Sequence, residues 1–180
     1  MACWYVIAGS TGAGKSTAAQ EIAERAGGVR FSVDEWMSAL YWMDCPEKND
    51  LLWALERVAR CEAQIEAVAL QLARAGVDAV LDLGFTQRSQ RRKWLERARS
   101  AGVRCELCVL NVDAAVRWER VCQRNKGESA TFTFQVTREM FDFMEARWEA
   151  PADEERAEFT SQHDDGVIVN GRSVWAVQRE

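Results

Sequence analysis

One segment of the sequence has the residue types and the spacing of a phosphate-binding loop. It reads GSTGAGKS over residues 9–16, which fits G-x-x-x-x-G-K-[S/T] in full, and it lies between a predicted strand and a predicted helix. Glycines let the backbone curl until successive N–H groups converge on phosphate oxygens, and the following helix adds its partial positive charge. The sequence therefore predicts a nucleoside-triphosphate site.

Two side chains of this loop have further predicted roles. Lys15 is expected to bind the β- and γ-phosphates, and the Ser16 hydroxyl is expected to coordinate Mg²⁺. A guanine-specific site would need N-K-x-D after a strand; the nearest match, NKGE at 125–128, ends in Glu and follows a helix, so ATP is the expected nucleotide. The predicted nucleotide-binding residues of the loop are Gly9, Ser10, Thr11, Gly12, Ala13, Gly14, Lys15, Ser16 and Thr17.

Asp34 is the candidate general base. It ends the second predicted strand, about twenty residues after the loop, where a carboxylate can accept the proton of an attacking hydroxyl. The alternative is that Asp34 caps the helix that follows. Trp36, two residues on, is a candidate for stacking on a planar or sugar-like acceptor.

Asp82 ends the third predicted strand, in VDAVLD at 77–82. A carboxylate at that place is expected to hold Mg²⁺, directly or through water; turn chemistry before Gly84 is the alternative. Arg88 and Arg91 follow closely and are the candidate residues for gripping an anionic part of the acceptor, the alternative being a solvated helix surface.

Three arginines recur at helical spacing before a polar loop in the second half of the chain. Arg120 and Arg124 immediately precede that loop and are expected to reach the triphosphate; Arg117 is the weaker candidate. A helix, loop and helix that deliver arginines onto phosphates would form a lid over residues 113–148 and exclude water. The alternative is a solvated basic helix face.

Apolar runs alternate with helical patterns, which favours an α/β fold with a parallel sheet. We expect a P-loop NTPase three-layer sandwich, with one domain over residues 1–180, a five-stranded parallel sheet and a helical lid. Right-handed crossovers would bring Gly9, Asp34 and Asp82 to one edge of the sheet. The predicted strands are 3–8, 29–33, 77–83, 103–110 and 166–170, and the predicted helices are 15–25, 34–43, 50–75, 89–100, 113–124 and 134–148.

The composition limits the partners. The formal net charge is −5, which argues against long nucleic acid as the main partner, and no apolar run is long enough for a membrane span. Six cysteines without a secretory signal predict free thiols in the cytoplasm. Cys105 and Cys108 have metal-pair spacing, but they fall in a predicted strand and would point to opposite faces, so no shared metal site is expected.

These motifs together resemble the small AAA-type P-loop kinases, which are similar to bacteriophage polynucleotide kinase, chloramphenicol phosphotransferase and zeta-toxin kinases. The resemblance covers residues 2–151 and rests on the loop, SVDE at 32–35, LDLGFT at 81–86 and WERVCQRN at 118–125. It implies Mg·ATP-dependent phosphorylation of a hydroxyl, with Asp34 as base and Arg124 in the lid. Polynucleotide kinases carry arginine three residues after the base, where this chain has Met37, and the family often has Asp-Ala-Thr or Asp-Thr-Asn where this chain has DLGF.

The predicted function is a cytoplasmic kinase that transfers the γ-phosphate of ATP to a hydroxyl of a small molecule, such as an antibiotic, a sugar or a nucleoside-like compound. Two alternatives stay open: a kinase of a nucleotide sugar or a nucleic-acid 5′ end, and a nucleotide-dependent regulatory ATPase that signals by lid closure. The oligomeric state is open as well.

Overall fold

The computed structural model describes residues 1–46, 51–126, 135–160 and 168–169. Four parallel strands form the central sheet in the order β2-β3-β1-β4, with the two-residue strand β5 beside β4. The strands are β1 (Cys3–Gly9), β2 (Val29–Ser32), β3 (Ala79–Asp82), β4 (Arg104–Leu110) and β5 (Ile168–Val169). The helices are α1 (Lys15–Ala26), α2 (Val33–Tyr41), α3 (Leu51–Arg74), α4 (Arg88–Ser100), α5 (Ala114–Asn125), α6 (Arg138–Glu145) and α7 (Asp153–Thr160), and a 3₁₀ turn spans Trp42–Asp44.

The predicted parallel α/β architecture is confirmed, and its sheet is covered on both faces. Every residue of β1 is buried, which explains why this strand is a continuous apolar run. Trp4 and Val6 pack with α3 and α4 on one face, whereas Tyr5 and Ile7 pack with α1 on the other. The fifth strand contributes only two described residues, so the predicted strand over 166–170 is not confirmed.

The two cysteines of β4 point to opposite faces of the sheet. Cys105 belongs to the core on the α3 and α4 face and Cys108 to the core on the α1 face, as expected for positions three apart in a strand. Both thiols are buried, and burial raises the pKa of Cys108 to about 12. These cysteines are therefore small core residues.

The carboxyl ends of the strands share one edge, as predicted. In the parallel register, Ser32 at the end of β2 lies beside Asp82 at the end of β3, and Gly9 at the end of β1 lies beside Leu110. Asp34 follows β2 directly in the first turn of α2. The sheet therefore brings the glycine-rich loop and both candidate carboxylates to the same edge.

The helices differ from the prediction at three places. Helix α2 begins at Val33 and its cap is Ser32, whose Oγ accepts a hydrogen bond from the Glu35 N–H at 3.3 Å. Helix α6 is shorter than the predicted helix over 134–148, and residues 127–134 of the predicted lid lie outside the described residues. Helix α7 was not predicted.

Candidate active site

The glycine-rich loop joins β1 to α1. Gly14 precedes the helix with φ of 93° and Gly12 has φ of 80°, a left-handed conformation that favours glycine at both positions. A Cβ on Gly12 would lie 2.6 Å from the carbonyl oxygen of Arg117, so α5 packs directly against the loop. Lys15, Ser16 and Thr17 form the first turn of α1, and the N–H groups of this turn face the loop. The loop thus has the backbone geometry that its motif predicts.

Lys15 extends back over the loop and lies among charged groups. Its Nζ donates a hydrogen bond to the Ser10 carbonyl oxygen at 3.1 Å. Burial lowers the pKa of Lys15; the carboxylates of Asp82 and Asp34 partly offset this, and Arg124 lowers the pKa further. An ammonium that is partly removed from water is stabilised by a nearby anion, and a bound phosphate would be such an anion.

Asp34 is positioned by α2 and is not the cap of that helix. The alternative of a structural cap is wrong, because Ser32 performs that role and Asp34 lies within the first turn. Solvent reaches Asp34, yet enough protein surrounds its carboxyl group that desolvation raises the pKa, and the Asp82 carboxylate raises it further. Lys15 and Arg124 lower it in part. A carboxylate with a raised pKa is a stronger proton acceptor than an ordinary aspartate.

Asp82 is buried and held by an arginine that sequence reasoning missed. Its Oδ2 accepts a hydrogen bond from Arg30 Nη2 at 3.1 Å, and Arg30 Nη1 also binds Glu35 Oε1 at 2.8 Å. Arg30 lies in β2, and in the parallel register its neighbour Ser32 pairs with Asp82. The sequence did contain one signal for this contact, a basic residue two positions before the end of a strand. Its partner, however, lies 52 residues away in the chain.

Arg124 in α5 interacts electrostatically with Asp34, and one of its nitrogens, Nε, is buried. Within the described part of the chain, no hydrogen-bond partner reaches its Nε. Burial lowers the pKa of the guanidinium, and the charge of Asp34 partly offsets that effect. Arg120 is also close to the loop, because its Nη1 lies 3.9 Å from where a Cβ would stand on Gly14. Helix α5 therefore presents both predicted arginines on the side of the glycine-rich loop.

The predicted role of Arg91 in binding the acceptor has to be corrected. Its side chain is fully buried and makes two bonds to Glu155 of α7, from Nε at 2.6 Å and from Nη2 at 3.0 Å. Arg88, half exposed, lies 3.5 Å from Glu158 Oε1, and its N–H donates to Glu149 at 2.7 Å. Arg91 therefore anchors α7 to α4, and the acceptor role assigned to it is wrong. The Arg88 side chain also contacts α7, through Glu158, and its role in acceptor binding stays a prediction.

Trp36 lies at the margin of the core. It is half-buried and stands edge-to-face against Phe31, with 6.2 Å between the ring centroids. That packing accounts for its position, and the stacking role remains a prediction.

Arg117 and Glu145 form a network that the sequence did not reveal. Arg117 is buried, and its guanidinium binds both oxygens of Glu145, at 2.7 and 2.8 Å. It also donates to the carbonyl oxygens of Val112 and Thr11. Glu145 Oε2 in turn accepts a hydrogen bond from Ser10 Oγ at 2.7 Å. The network joins α5, α6 and the glycine-rich loop.

The donor set at the sheet edge fits a Mg²⁺ ion that shares its coordination with phosphates. Such an ion typically uses one or two carboxylate or hydroxyl ligands of the protein and fills the rest of its shell with phosphates and waters. Ser16 and Asp82 are residues of that type at this edge, and one Asp82 oxygen, Oδ1, lies outside the bond to Arg30. No cluster of three or more His, Cys, Asp or Glu residues suited to a metal occurs among the residues that were placed.

Comparison with known proteins identifies a family. A sequence profile described as an AAA domain matches residues 5–151 of the chain. No curated protein sequence matches significantly. Across the placed residues, no helix has the length and hydropathy needed to cross a membrane.

Several solved structures have a similar fold. A protein designated a kinase from Chloroflexus aurantiacus j-10-fl has a TM-score of 0.64 and 14% identity, over 83% of this chain and 78% of that one. A chain of the Pnkp1/Rnl/Hen1 RNA repair complex has a TM-score of 0.61 and 14% identity, over 89% of this chain and 44% of that one. A gluconokinase from Sinorhizobium meliloti 1021 has a TM-score of 0.55 and 22% identity, over 84% of this chain and 78% of that one. At these identities the similarity shows a shared fold.

Proposed function

The chain belongs to the AAA domain family, and we propose that it is an ATP-dependent kinase that transfers the γ-phosphate to a hydroxyl of a small molecule. The observation that carries this proposal is the charge arrangement around Asp34. A carboxylate with a raised pKa interacts there with Lys15 and Arg124, whose pKa values are lowered, beside a glycine-rich loop at a helix N-terminus. Such groups would supply a proton acceptor and phosphate-binding cations in one place.

The glycine-rich loop and three cations would hold the triphosphate. The N–H groups after Gly12 and Gly14 bind phosphate oxygens, and Lys15 exchanges its bond to the Ser10 carbonyl for the β- and γ-phosphates. Arg124, whose Nε has no described partner, donates to the transferred phosphoryl group, and Arg120 adds positive charge beside the loop. These cations act most strongly where water is excluded.

Ser16 and Asp82 would hold Mg²⁺, which when bound would offset the negative charge of the phosphates. Arg30 keeps the Asp82 carboxylate in place by donating a hydrogen bond to its Oδ2. Because Arg30 is also bound to Glu35, it acts here as a fixed support for Asp82.

Asp34 accepts the proton of the acceptor hydroxyl during transfer. Its helix is capped independently by Ser32, so the carboxylate is available for chemistry. Desolvation by the surrounding protein and the nearby Asp82 carboxylate raise its pKa, which makes it a better base at neutral pH.

An uncharged acceptor fits this edge better than an anionic one. Arg30 in β2 and Arg88 and Arg91 after β3 are cations that an anion would use, but each is paired with a carboxylate of the chain itself. Asp34 adds negative charge on the same side. This balance supports a small hydroxyl compound over a nucleic-acid end.

The test is a phosphate-transfer screen with γ-labelled ATP over antibiotics, sugars, polyols, nucleosides and oligonucleotides. Lys15→Ala serves as the blank, because it removes the only side-chain cation of the loop. We expect transfer to an uncharged hydroxyl compound by the wild type and none by the variant. Mg·ATP hydrolysis with no transfer to any compound would favour the regulatory ATPase, and wild-type ATP affinity in Lys15→Ala would overturn the nucleotide site itself.

A further inference from the structure

Four residues connect the glycine-rich loop to the two helices that follow β4. Glu145 is the last residue of α6, and its Oε2 accepts from Ser10 Oγ and from Arg117 Nη1, both at 2.7 Å. Arg117 Nη2 donates to Glu145 Oε1, and Arg117 Nη1 also lies 3.2 Å from the Thr11 carbonyl oxygen. One carboxylate thus holds the loop directly, through a hydroxyl, and indirectly, through a guanidinium.

The geometry points to Glu145 as a positioning residue for the glycine-rich loop: it holds Ser10, and through Arg117 also Thr11, so that the loop is shaped for phosphate before the nucleotide arrives. The inference rests on the proposed function, because it assumes that the loop binds a nucleoside triphosphate. Glu145 itself touches no reacting atom in this view, and its effect passes through the backbone of the loop.

The position of Glu145 in its helix supports a role outside that helix. A negative charge at a helix C-terminus is disfavoured by the helix dipole, so Glu145 does not stabilise α6 by its charge. Helix α6 is held instead by Phe141, which packs with Val121, Val136 and Trp118. The hydrogen bond from Arg117 lowers the pKa of Glu145 and keeps the carboxylate ionised at neutral pH.

The contact between the loop and α5 makes loop shape sensitive to this network. Gly12 lies so close to the Arg117 carbonyl oxygen that no side chain fits between them. Arg117 therefore contacts the loop with its backbone at Gly12 and with its guanidinium at Thr11. Without Glu145, the guanidinium would lose its bidentate partner and Ser10 would lose its acceptor. The N–H groups that converge on phosphate would then have to be ordered by the nucleotide itself, at a cost in affinity.

The experiment compares two carboxylates of the same helix. Glu145→Ala removes the network, and Asp142→Ala, the matched control, removes an exposed carboxylate paired with Arg138 on the surface. Mg·ATP and Mg·ADP affinities are measured by calorimetry and folding by thermal melts. We expect about tenfold weaker Mg·ATP binding for Glu145→Ala, as for the loss of roughly one charge-assisted hydrogen bond, and a change of less than twofold for Asp142→Ala.

A mutant cycle and the kinetics separate positioning from general stability. If Glu145 acts through Ser10, then Ser10→Ala weakens Mg·ATP binding as well, and the affinity of the double variant falls by less than the product of the two single effects.

The kinetics of Glu145→Ala give a second test. With an identified acceptor, its KM for ATP should rise about tenfold while its kcat changes less than threefold. A purely structural residue would give additive effects and a binding loss that follows the melting temperature. Glu145→Gln keeps the size of the side chain and should give a smaller loss, and it replaces the alanine variant if that one does not fold.

The outcomes distinguish this inference from the proposed function. A wild-type protein that does not bind Mg·ATP would overturn both. Wild-type binding with Glu145→Ala and Glu145→Gln within twofold of it would overturn the positioning role alone and leave the nucleotide site standing.

Discussion

Replacing Asp34 by asparagine should separate catalysis from folding in this protein. Asparagine is nearly isosteric but cannot take a proton, and the loss of a general base typically slows a reaction about 10²–10⁴-fold, or about 2.7–5.4 kcal/mol in the barrier. The structure predicts no loss of folding stability, because the cap of α2 is Ser32. Mg·ATP should bind as well as before or more tightly, since one negative charge beside the phosphate site is removed.

The raised pKa of Asp34 predicts how the stability of the Asp34→Asn variant differs from wild type as the pH changes. Desolvation by the surrounding protein, and then the Asp82 carboxylate, raise the pKa of Asp34 above its ordinary value of 3.8. Between the two pKa values the folded protein binds more protons than the unfolded chain, so stability falls as the pH rises through that interval. Above the folded-state pKa the ionised carboxylate costs stability in full. Asp34→Asn should therefore melt at or above the wild-type temperature at pH 8, and the difference should shrink toward pH 4.

Ser32→Ala is the matched contrast for the same helix. It removes the cap, which should cost about 1 kcal/mol, and so lower the melting temperature by roughly 2–4 °C in a domain of this size. Its transfer rate should remain close to wild type. Melts and a labelled-ATP transfer assay are run on both variants. A destabilised Asp34→Asn variant that still transfers phosphate at near the wild-type rate would refute the assignment of Asp34 as base.

The remaining predictions concern Arg124, the buried ion pair of Arg91, and Gly12. Arg124→Ala should lower kcat by about 10²–10³-fold while weakening Mg·ATP binding much less, because the arginine is expected to stabilise charge in the transition state. An unchanged kcat would show that Arg124 has no role in transfer. Arg91→Ala leaves a buried carboxylate unpaired at about 3–5 kcal/mol, so we expect a melting temperature roughly 10 °C lower, against little change for Arg92→Ala, which removes an exposed pair. Gly12→Ala should abolish nucleotide binding measured by calorimetry, because its Cβ would meet a carbonyl oxygen at 2.6 Å, whereas Gly84→Ala, which also has positive φ but open space, should retain it.

The edge that carries the glycine-rich loop was predictable because its signals are local. The loop motif contains its own glycines and lysine within eight consecutive residues, and the apolar run of β1 precedes it directly. The parallel sheet follows from the alternation of strands and helices, and right-handed crossovers then bring the strand ends together. Asp34 and Asp82 could therefore be assigned to one edge without any knowledge of their contacts.

The ion pairs were not predictable because their partners are distant in the chain. Arg91 and Glu155 are 64 residues apart, and Arg30 and Asp82 are 52 apart, so neither spacing suggests a contact. Helix α7, which supplies Glu155, was missed because it has only 8 residues and weak apolar periodicity. An arginine near the sheet edge was consequently assigned to an acceptor when the chain already contained its partner.

Arg91 and Arg124 differ in whether the protein supplies hydrogen-bond partners for their buried nitrogens. Arg91 has its bidentate carboxylate, so its burial is explained by the fold, and nothing further is needed at that position. Arg124 is partly buried with an Nε that no described group satisfies, and Lys15 and Asp34 have pKa values shifted against their charged forms. Such groups cost folding free energy, and a chain retains that cost where a ligand or a reaction uses it. These three groups interact with one another beside the glycine-rich loop, and this is the physical reason for proposing phosphoryl transfer there: bound phosphate would satisfy both cations, and a hydroxyl proton would satisfy the carboxylate.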